Sequence, residues 1–178
     1  MRQVLYRVAA SLDGYIAGPH GEVDWIIHDP AVDLAGVYDS VDTVLLGRRT
    51  YELTRQPGAP PWPRGWRIYV FSRTLKPTDH PGVTVVSADA GRRVAALRAE
   101  PGRSIWLFGG GSLFRSLLEA KQVAQVEIAV MPVLLGGGVP LLEPGSPPTQ
   151  LVLEDVERYP TGILGLRYRI PAAEVRRG

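Results

Sequence analysis

The fold class is decided by the stretch Ser104-Ile105-Trp106-Leu107-Phe108-Gly109-Gly110-Gly111-Ser112-Leu113-Phe114. Its apolar first half predicts a buried strand, its glycines predict a tight turn, and the apolar spacing that continues to Leu118 predicts an amphipathic helix. Glycine lets the backbone approach a pyrophosphate closely, while Ser112 can cap the helix and leave other amides free to bind oxygen atoms. The turn could equally need glycine only for a positive φ. The stretch therefore predicts an α/β unit, with both interpretations of its glycines open.

Two other strand ends carry polar side chains of the kind that bind phosphate. The apolar run Thr43–Leu46 leads through Gly47-Arg48-Arg49-Thr50 into a helical pattern. Arginine offers phosphate a fixed fork of donors, and cations at the start of a helix oppose its dipole unless an anion is bound there. The run Ile68–Phe71 is followed by Ser72 and Arg73, which could hold a ribose 2′-phosphate or stand in an ordinary turn.

Short apolar runs alternate with helical patterns along most of the chain. The predicted strands are Val4–Ala10, Thr43–Leu46, Arg67–Phe71, Val83–Val86, Ser104–Phe108, Val126–Val130 and Gly165–Ile170, and the predicted helices are Val32–Val41, Arg49–Arg55, Gly91–Ala99 and Ser112–Ala120. This alternation predicts an α/β fold with a mostly parallel central sheet and helices on both faces. Helical patterns stop after Ala120, so an antiparallel hairpin that includes Leu151–Val156 is expected at the C-terminal edge.

Length and composition limit the classes of protein that fit. The 178 residues are 45% apolar, which is enough for one core, so a single domain over 1–178 is expected. The net charge is +2, with cations scattered among carboxylates, so no nucleic-acid partner is expected, and the basic stretch Glu174–Gly178 is interpreted as a solvated chain end. The sequence has no cysteine, and no apolar run approaches the roughly 20 residues of a membrane helix. We expect a cytoplasmic protein without a membrane partner.

Common nucleotide and metal motifs do not occur. The sixth position of a G-x-G-x-x-G match is Phe114, and the sequence contains no G-x-x-x-x-G-K-[ST] segment, which disfavours Rossmann dehydrogenases and P-loop ATPases. The histidines, His20, His28 and His80, form no H-x-H or H-x-x-x-H pair. No metal site is therefore expected.

Four motifs in order carry a family resemblance: Ser11–Ala17 (SLDGYIA), Gly47–Glu52 (GRRTYE), Gly109–Ser112 (GGGS) and Pro132–Gly138 (PVLLGGG). With them the chain resembles the dihydrofolate reductase superfamily over almost its whole length, and most of all the riboflavin-biosynthesis-type reductase branch. The resemblance implies the three-layer dihydrofolate reductase-like fold. It also implies an NADPH-dependent reductase that acts on a small molecule.

The resemblance also implies roles for individual residues. Those implied to contact NADPH are Gly47, Arg48, Arg49 and Thr50 at the phosphates, Ser72 and Arg73 at the adenosine 2′-phosphate, Gly109, Gly110, Gly111, Ser112 and Leu113 at the pyrophosphate, and Ala9 and Ile16 at the nicotinamide. A 2′-phosphate site implies NADPH rather than NADH.

On the substrate side, the resemblance implies that Leu135, Gly136 and Gly137 close the pocket and that Trp25 and Asp13 lie in or beside it. Asp33 stands where folate reductases carry a buried acid, so it is the candidate polar anchor. Other interpretations stay open, because Asp13-Gly14 is a good turn dipeptide and Asp33 suits the first turn of a helix. The segment Val23–Ile26 differs from the folate-type loop, so folate is not the expected substrate.

The expected reaction is hydride transfer from NADPH to a small pterin-, pyrimidine- or carbonyl-type substrate. Its proton would come from water oriented by the catalytic candidates Asp33 or Asp13. The alternative is a module that binds NADP(H) without catalysis. A homodimer is expected, because this branch tends to pair and the late apolar strands would otherwise leave an exposed sheet edge.

Overall fold

The computed structural model describes residues 1–171, and the basic segment Glu174–Gly178 lies outside them. In this part of the chain the strands are β1 (Val4–Ser11), β2 (Tyr15–Ala17), β3 (Val41–Gly47), β4 (Arg67–Phe71), β5 (Thr84–Val86), β6 (Ser104–Gly109), β7 (Gln125–Met131), β8 (Val139–Pro140), β9 (Val152–Arg158) and β10 (Leu164–Arg169). The helices are α1 (Leu34–Asp39), α2 (Arg48–Leu53), α3 (Ala90–Ala99) and α4 (Gly111–Glu119), with a 3-10 turn at Pro77–Asp79. No helix within residues 1–171 has both the length and the apolar surface that a membrane crossing requires.

Eight strands form one sheet in the order β5-β4-β3-β6-β1-β7-β10-β9. The strands from β5 to β7 in this order are parallel to their neighbours, whereas β10 is antiparallel to both β7 and β9. The mostly parallel sheet with its antiparallel C-terminal edge confirms the predicted fold class. The remaining strands, β2 and β8, pair with each other beside this sheet.

Apolar side chains are buried on both faces of the sheet, which produces three layers. On β3, Leu45 joins one core together with Leu117 of α4. Its sequence neighbours Val44 and Leu46 join a second core with Tyr51 of α2. Because alternate residues of a strand point to opposite faces, the continuous apolar run of β3 fills both cores at once.

The predicted and observed ends of the helices and strands differ most at α1. The helix predicted over 32–41 is only six residues long, because the Asp33 side chain accepts the Gly36 N–H as an N-cap and Val41 already belongs to β3. The short strands β2 and β8 were not predicted from their own sequence. They pair across more than 120 residues, with Tyr15 opposite Pro140, so their local sequence carries little of the signal.

The carboxyl ends of the parallel strands meet at one edge of the sheet. Register places Leu46 opposite Gly109 and Gly47 opposite Phe71, while Ser11 lies opposite Met131. The turns that follow β1, β3, β4, β6 and β7 therefore stand side by side. This is the edge at which open α/β sheets bind ligands.

Candidate cofactor and substrate site

A cleft of about 2570 Å³ opens at this edge and continues over one face of the sheet. Pockets for one small ligand usually enclose about 300–1,000 Å³, so this cleft has room for a dinucleotide and a second molecule. Every residue predicted to contact the cofactor lines it: Ala9, Ile16, Gly47, Arg48, Arg49, Thr50, Ser72, Arg73, Gly109, Gly110, Gly111, Ser112 and Leu113. The structure thus brings together segments that are far apart in the chain.

The start of α4 has the features of a phosphate cradle. Its N-cap is Gly110, and no side chain caps the helix, so its first amides have no intrahelical or side-chain acceptor. A Cβ atom on Gly110 would lie 3.4 Å from Thr50 Oγ1 and 3.9 Å from Ile16 Cδ1, inside the cleft. A Cβ atom on Gly47 would lie 3.6 Å from the Gly110 nitrogen, so the two glycine backbones face each other. These uncapped amides and the space beside Gly110 suit a pyrophosphate.

Two other helices, α1 and α3, are capped by their own acids. Asp33 caps α1, and the Asp89 side chain accepts the Arg92 N–H at the start of α3. Helix α2, in contrast, begins after Gly47 without a side-chain cap and without an acid in its first turn. The absence of such acids at α2 and α4 leaves the positive ends of both helix dipoles facing the cleft.

Two arginines stand in the first turn of α2. The Arg48 Nη1 atom donates to Glu52 Oε1 at 2.9 Å, one helical turn away. Arg49 is exposed, and within residues 1–171 no salt bridge or hydrogen bond holds its guanidinium group. The predicted surplus of positive charge beside Gly47 is therefore present in the fold, with Arg49 available to an anion.

The turn after β4 is organised by its serine. Ser72 Oγ accepts the backbone N–H groups of Thr74 at 3.2 Å and Leu75 at 3.1 Å, and the Ser72 N–H donates to Val86 O. Arg73 is exposed at the tip of this turn. The serine thus shapes the turn, and the exposed arginine at its tip lines the cleft.

Asp13 ties two loops of the candidate substrate side together. Its carboxylate accepts the Ser11 hydroxyl at 2.6 Å and the backbone N–H groups of Leu135 at 3.1 Å and Gly136 at 2.7 Å. The Ser11 hydroxyl, followed by the two amides, lowers the pKa of Asp13 below its ordinary value. The Asp13 side chain therefore acts as a clamp between the turn after β1 and the loop after β7.

The remaining predicted substrate residues fall into two groups. Asp33 lines the cleft, although its carboxylate is exposed and caps α1 at a distance of 2.8 Å from the Gly36 nitrogen. Among the described residues, Trp25 and the loop segment 135–137 lie outside the cleft lining, as does Asp13. The Trp25 ring donates to Glu22 O at 3.0 Å. The contacts of Asp33 and Trp25 are local and explain both side chains without a ligand.

Sequence reasoning missed a second acid that fixes the loop before α1. Asp29 is buried and accepts the Ala31 N–H, the Thr161 N–H at 3.2 Å and the Thr161 hydroxyl at 2.7 Å. The Ala31 amide, followed by the Thr161 hydroxyl, lowers the pKa of Asp29. This acid joins the loop above the cleft to the turn between β9 and β10.

Sequence reasoning also missed an ion pair that lies on the sheet itself. Arg7 and Glu127 line the cleft and form a two-point ion pair, with Nε–Oε2 2.5 Å and Nη2–Oε1 3.2 Å. Each interrupts an otherwise apolar strand, which is the signal that could have singled them out. Their pairing depends on strand register, however, and register was not predicted.

The strand order of the sheet and the cleft at the carboxyl ends of its parallel strands define an α/β protein of the dihydrofolate reductase-like class. The model of the family described as RibD C-terminal domain matches residues 2–164. The chain therefore belongs to this family, which confirms the branch that the four sequence motifs indicated.

Similar proteins agree with this assignment. Protein YwjB of Bacillus subtilis is 33% identical over 162 residues, which cover 89% of this chain and 92% of that protein. A putative riboflavin biosynthesis protein from Shewanella sp. PV-4 has a crystal structure with TM-score 0.83 and 25% identity, covering 97% of this chain and 100% of that one. Dihydrofolate reductase from Enterococcus faecalis, solved in complex with NADP(H), has the same fold with TM-score 0.67 at 19% identity, covering 96% and 97% of the two chains.

Proposed function

We propose that the protein is an NADPH-dependent reductase that transfers hydride to a small pterin-, pyrimidine- or carbonyl-type substrate. One observation carries the proposal: the uncapped start of α4 faces the Gly47 backbone, and Arg49, which has no ion-pair partner among residues 1–171, lines the same cleft. Backbone amides, an aligned helix dipole and a guanidinium group together form an anion site that no acid within residues 1–171 caps.

The other predicted contacts extend from this anion site in two directions. Arg73, at the turn after β4, would meet the 2′-phosphate that distinguishes NADPH from NADH. In the opposite direction lie Ile16, next to Gly110, and Ala9, half-buried in the middle of β1. These would border the nicotinamide, which supplies the hydride when the cofactor is bound. The chain's own contribution is to hold the two reactants in contact and to limit the access of water.

The proton is proposed to come from water that reaches the open cleft. The candidates Asp33 and Asp13 both use their carboxylates to accept backbone N–H groups, so each has a structural role that accounts for its position without a catalytic one. An Asp33→Asn variant therefore retains most of its turnover. A loss of turnover by a factor of a hundred or more, with NADPH affinity unchanged, would return Asp33 to the mechanism.

The decisive experiment is a titration of the purified protein with NADPH and, separately, NADH, followed by thermal stability and nicotinamide fluorescence. NADPH is expected to bind more tightly than NADH, and Arg49→Ala is expected to weaken NADPH by about tenfold, or about 1.4 kcal/mol. Arg64→Ala, a change outside the cleft lining, is the control for loss of surface charge. If neither nucleotide binds, the proposed function is wrong. Binding of NADPH without its oxidation against pterins, pyrimidines and carbonyl compounds would favour the alternative of a non-catalytic NADP(H)-binding module.

We also propose that the protein forms a homodimer through the outer strands of the sheet. Strand β9 is exposed along its whole length at the sheet edge. Register places Leu153 opposite Tyr168 and Val156 opposite Leu166, so these side chains share one face, on which Leu153 is 52% and Val156 46% exposed. An apolar edge of this kind is usually covered. Sedimentation analysis tests the proposal, and a monomer at micromolar concentration would contradict it.

A further inference from the structure

The core under α4 contains a tyrosine, Tyr6 of β1, that is completely buried. Its ring stacks on Phe114 of α4, with the ring centroids 3.8 Å apart and an interplanar angle of 19°. Its hydroxyl donates to the Leu141 carbonyl oxygen at 3.0 Å. Burial raises the pKa of this hydroxyl, so it remains a protonated donor. One side chain therefore contacts both the first half of α4 and the residue that follows β8.

The segment that accepts this bond has little strand pairing of its own. We call residues 139–141 the β8 segment, because β8 is only two residues long and pairs with β2 in a two-stranded sheet. Pro140 has no N–H group and gives no hydrogen bond to that sheet. The N–H of Leu141 donates to Gly14 O at 2.9 Å, and its carbonyl oxygen accepts the Tyr6 hydroxyl. Two hydrogen bonds of one residue thus fasten the segment to β1 and to the turn after β1.

The first turn of α4 lies directly against the β8 segment. Gly111, the first residue of the helix, is buried, and a Cβ atom on it would lie 2.5 Å from Pro140 O and 3.2 Å from Leu141 O. A shift of the segment toward the helix would collide with this backbone, and a shift away would leave a gap beside Gly111. Because protein interiors are close-packed, the position of the β8 segment sets the position of the uncapped amides at the start of α4.

A second tyrosine of the same core provides a comparison. Tyr69 of β4 is 6% exposed, and its hydroxyl accepts a hydrogen bond from Arg93 Nη2 of α3 at 3.2 Å. Within residues 1–171, neither Tyr6 nor Tyr69 belongs to the lining of the cleft. The two residues share chemistry, burial and core, but the Tyr6 hydroxyl bonds to the backbone beside the start of α4, whereas the Tyr69 hydroxyl bonds to a side chain of another helix.

We propose that Tyr6 is a positioning residue of the cofactor site, which acts through its hydroxyl on the β8 segment and through its ring on α4. It touches neither cofactor nor substrate. Its role is to hold the amides at the start of α4 in the arrangement that receives a pyrophosphate. The inference rests on the proposed function, because it assigns the anion at these amides to NADPH. A variant that leaves every side chain of the cleft lining unchanged should therefore lose NADPH affinity.

The test compares Tyr6→Phe with Tyr69→Phe in the complete 178-residue chain, since each change removes one buried hydroxyl from the same core. NADPH affinity is measured by nicotinamide fluorescence at a temperature well below the unfolding transition of both variants. Tyr6→Phe is expected to weaken NADPH about five- to tenfold, within the range that one net hydrogen bond gives. Tyr69→Phe is expected to change NADPH affinity by less than about twofold, although it also loses a hydrogen bond and some stability.

Amide NMR spectra of the cofactor-free proteins provide a readout that general destabilisation does not move. The backbone N–H resonances of residues 111–113 are expected to shift in Tyr6→Phe and to match those of the wild type in Tyr69→Phe. If Tyr6→Phe fails to fold, Phe114→Leu removes the stacked ring from the other side of the contact. This variant is expected to weaken NADPH by about threefold or more, with shifts of the same resonances.

The inference is overturned if Tyr6→Phe binds NADPH as tightly as the wild type, or if the two tyrosine variants lose the same affinity. It is also overturned if affinity falls while the resonances of residues 111–113 stay in place. Each of these outcomes requires a wild type that binds NADPH, so they leave the proposed function standing. A wild type that does not bind NADPH removes the proposed function, and the role of Tyr6 falls with it.

Discussion

Two adjacent glycines at the start of α4 should respond to the same substitution in opposite ways. A Cβ atom on Gly111 would lie 2.5 Å from Pro140 O and 3.2 Å from Leu141 O, which are backbone atoms of the β8 region. Overpacking of this kind costs about 1–3 kcal/mol, partly offset by the better helix propensity of alanine, which gains up to about 1 kcal/mol. Gly111→Ala should therefore lose about 1–2 kcal/mol of stability, which lowers Tm by about 2–8 °C in a chain of this size.

Gly110→Ala should instead fold normally and lose the cofactor. The nearest atoms to its added Cβ would be Thr50 Oγ1 at 3.4 Å and Ile16 Cδ1 at 3.9 Å, which are ordinary contact distances. Stability should change by no more than about 0.5 kcal/mol. The methyl group would occupy the space where a pyrophosphate must approach the amides of α4, so NADPH affinity should fall at least about tenfold, or about 1.4 kcal/mol.

Chemical unfolding and NADPH fluorescence titration on the same preparations separate the two effects. Wild-type protein and Gly58→Ala, a change in a loop glycine whose Cβ meets no atom within 4 Å, provide the reference values. Gly58 has φ +88, so this control also measures the cost of a methyl group at positive φ. The reasoning is refuted if Gly110→Ala binds NADPH as tightly as the wild type, or if it is destabilised as much as Gly111→Ala.

Further predictions concern the charge, clamp, core and edge residues. Arg73→Ala should weaken NADPH about tenfold and leave NADH unchanged in fluorescence titrations, since its proposed contact is the 2′-phosphate; equal loss for both nucleotides would exclude that contact. Hydrogen bonds, first of all from the Ser11 hydroxyl, lower the pKa of Asp13. The ionised Asp13 carboxylate therefore stabilises the folded protein above the ordinary pKa of aspartate, and this stabilisation is lost as the pH falls through the lowered pKa. Asp13→Asn should therefore flatten the acid side of the stability–pH curve and speed hydrogen exchange at the Leu135 amide. Leu45→Ala, in the fully buried centre of β3, should cost about 2–5 kcal/mol in denaturant unfolding. Leu153→Lys should shift a dimer toward monomer in sedimentation without changing NADPH affinity.

The candidate cofactor edge consists of the turns that follow β3, β4 and β6. It could be predicted from the sequence because the residue patterns that indicate these turns are local. The junctions after β3 and β6 each consist of a strand, a glycine and a helix start within about ten consecutive residues, as in the stretch from Ser104 to Phe114. The rule that parallel strands present their carboxyl ends on one side then places these junctions together. Gly47 and Gly110 are neighbours in the fold because two separate local patterns obey this one rule.

The polar groups of the substrate side could not be predicted in the same way. Asp33 looked like an anchor, yet a capping bond to an amide three residues away was equally consistent with its position, and the structure contains that bond. The partners of Asp13 lie 122 and 123 residues away, and those of Asp29 lie 132 residues away. No pattern within a short window encodes these contacts, since loops are positioned by the elements that they join.

The Arg7–Glu127 pair depends on the register between β1 and β7, and the two residues lie 120 positions apart in the sequence. A shift of β7 by one residue against β1 would turn Glu127 to the opposite face of the sheet and bury it among the apolar side chains packed under α4. The observed register pairs Tyr6 with Val126 and places both in the same core, and a one-residue shift would move Val126 out of it. The hydrophobic core thus determines which charges reach the cleft. Arg7 and Glu127 lie within β1 and β7, so the charges in the cleft depend on strand register, whereas the turns after β3 and β6 depend on local sequence.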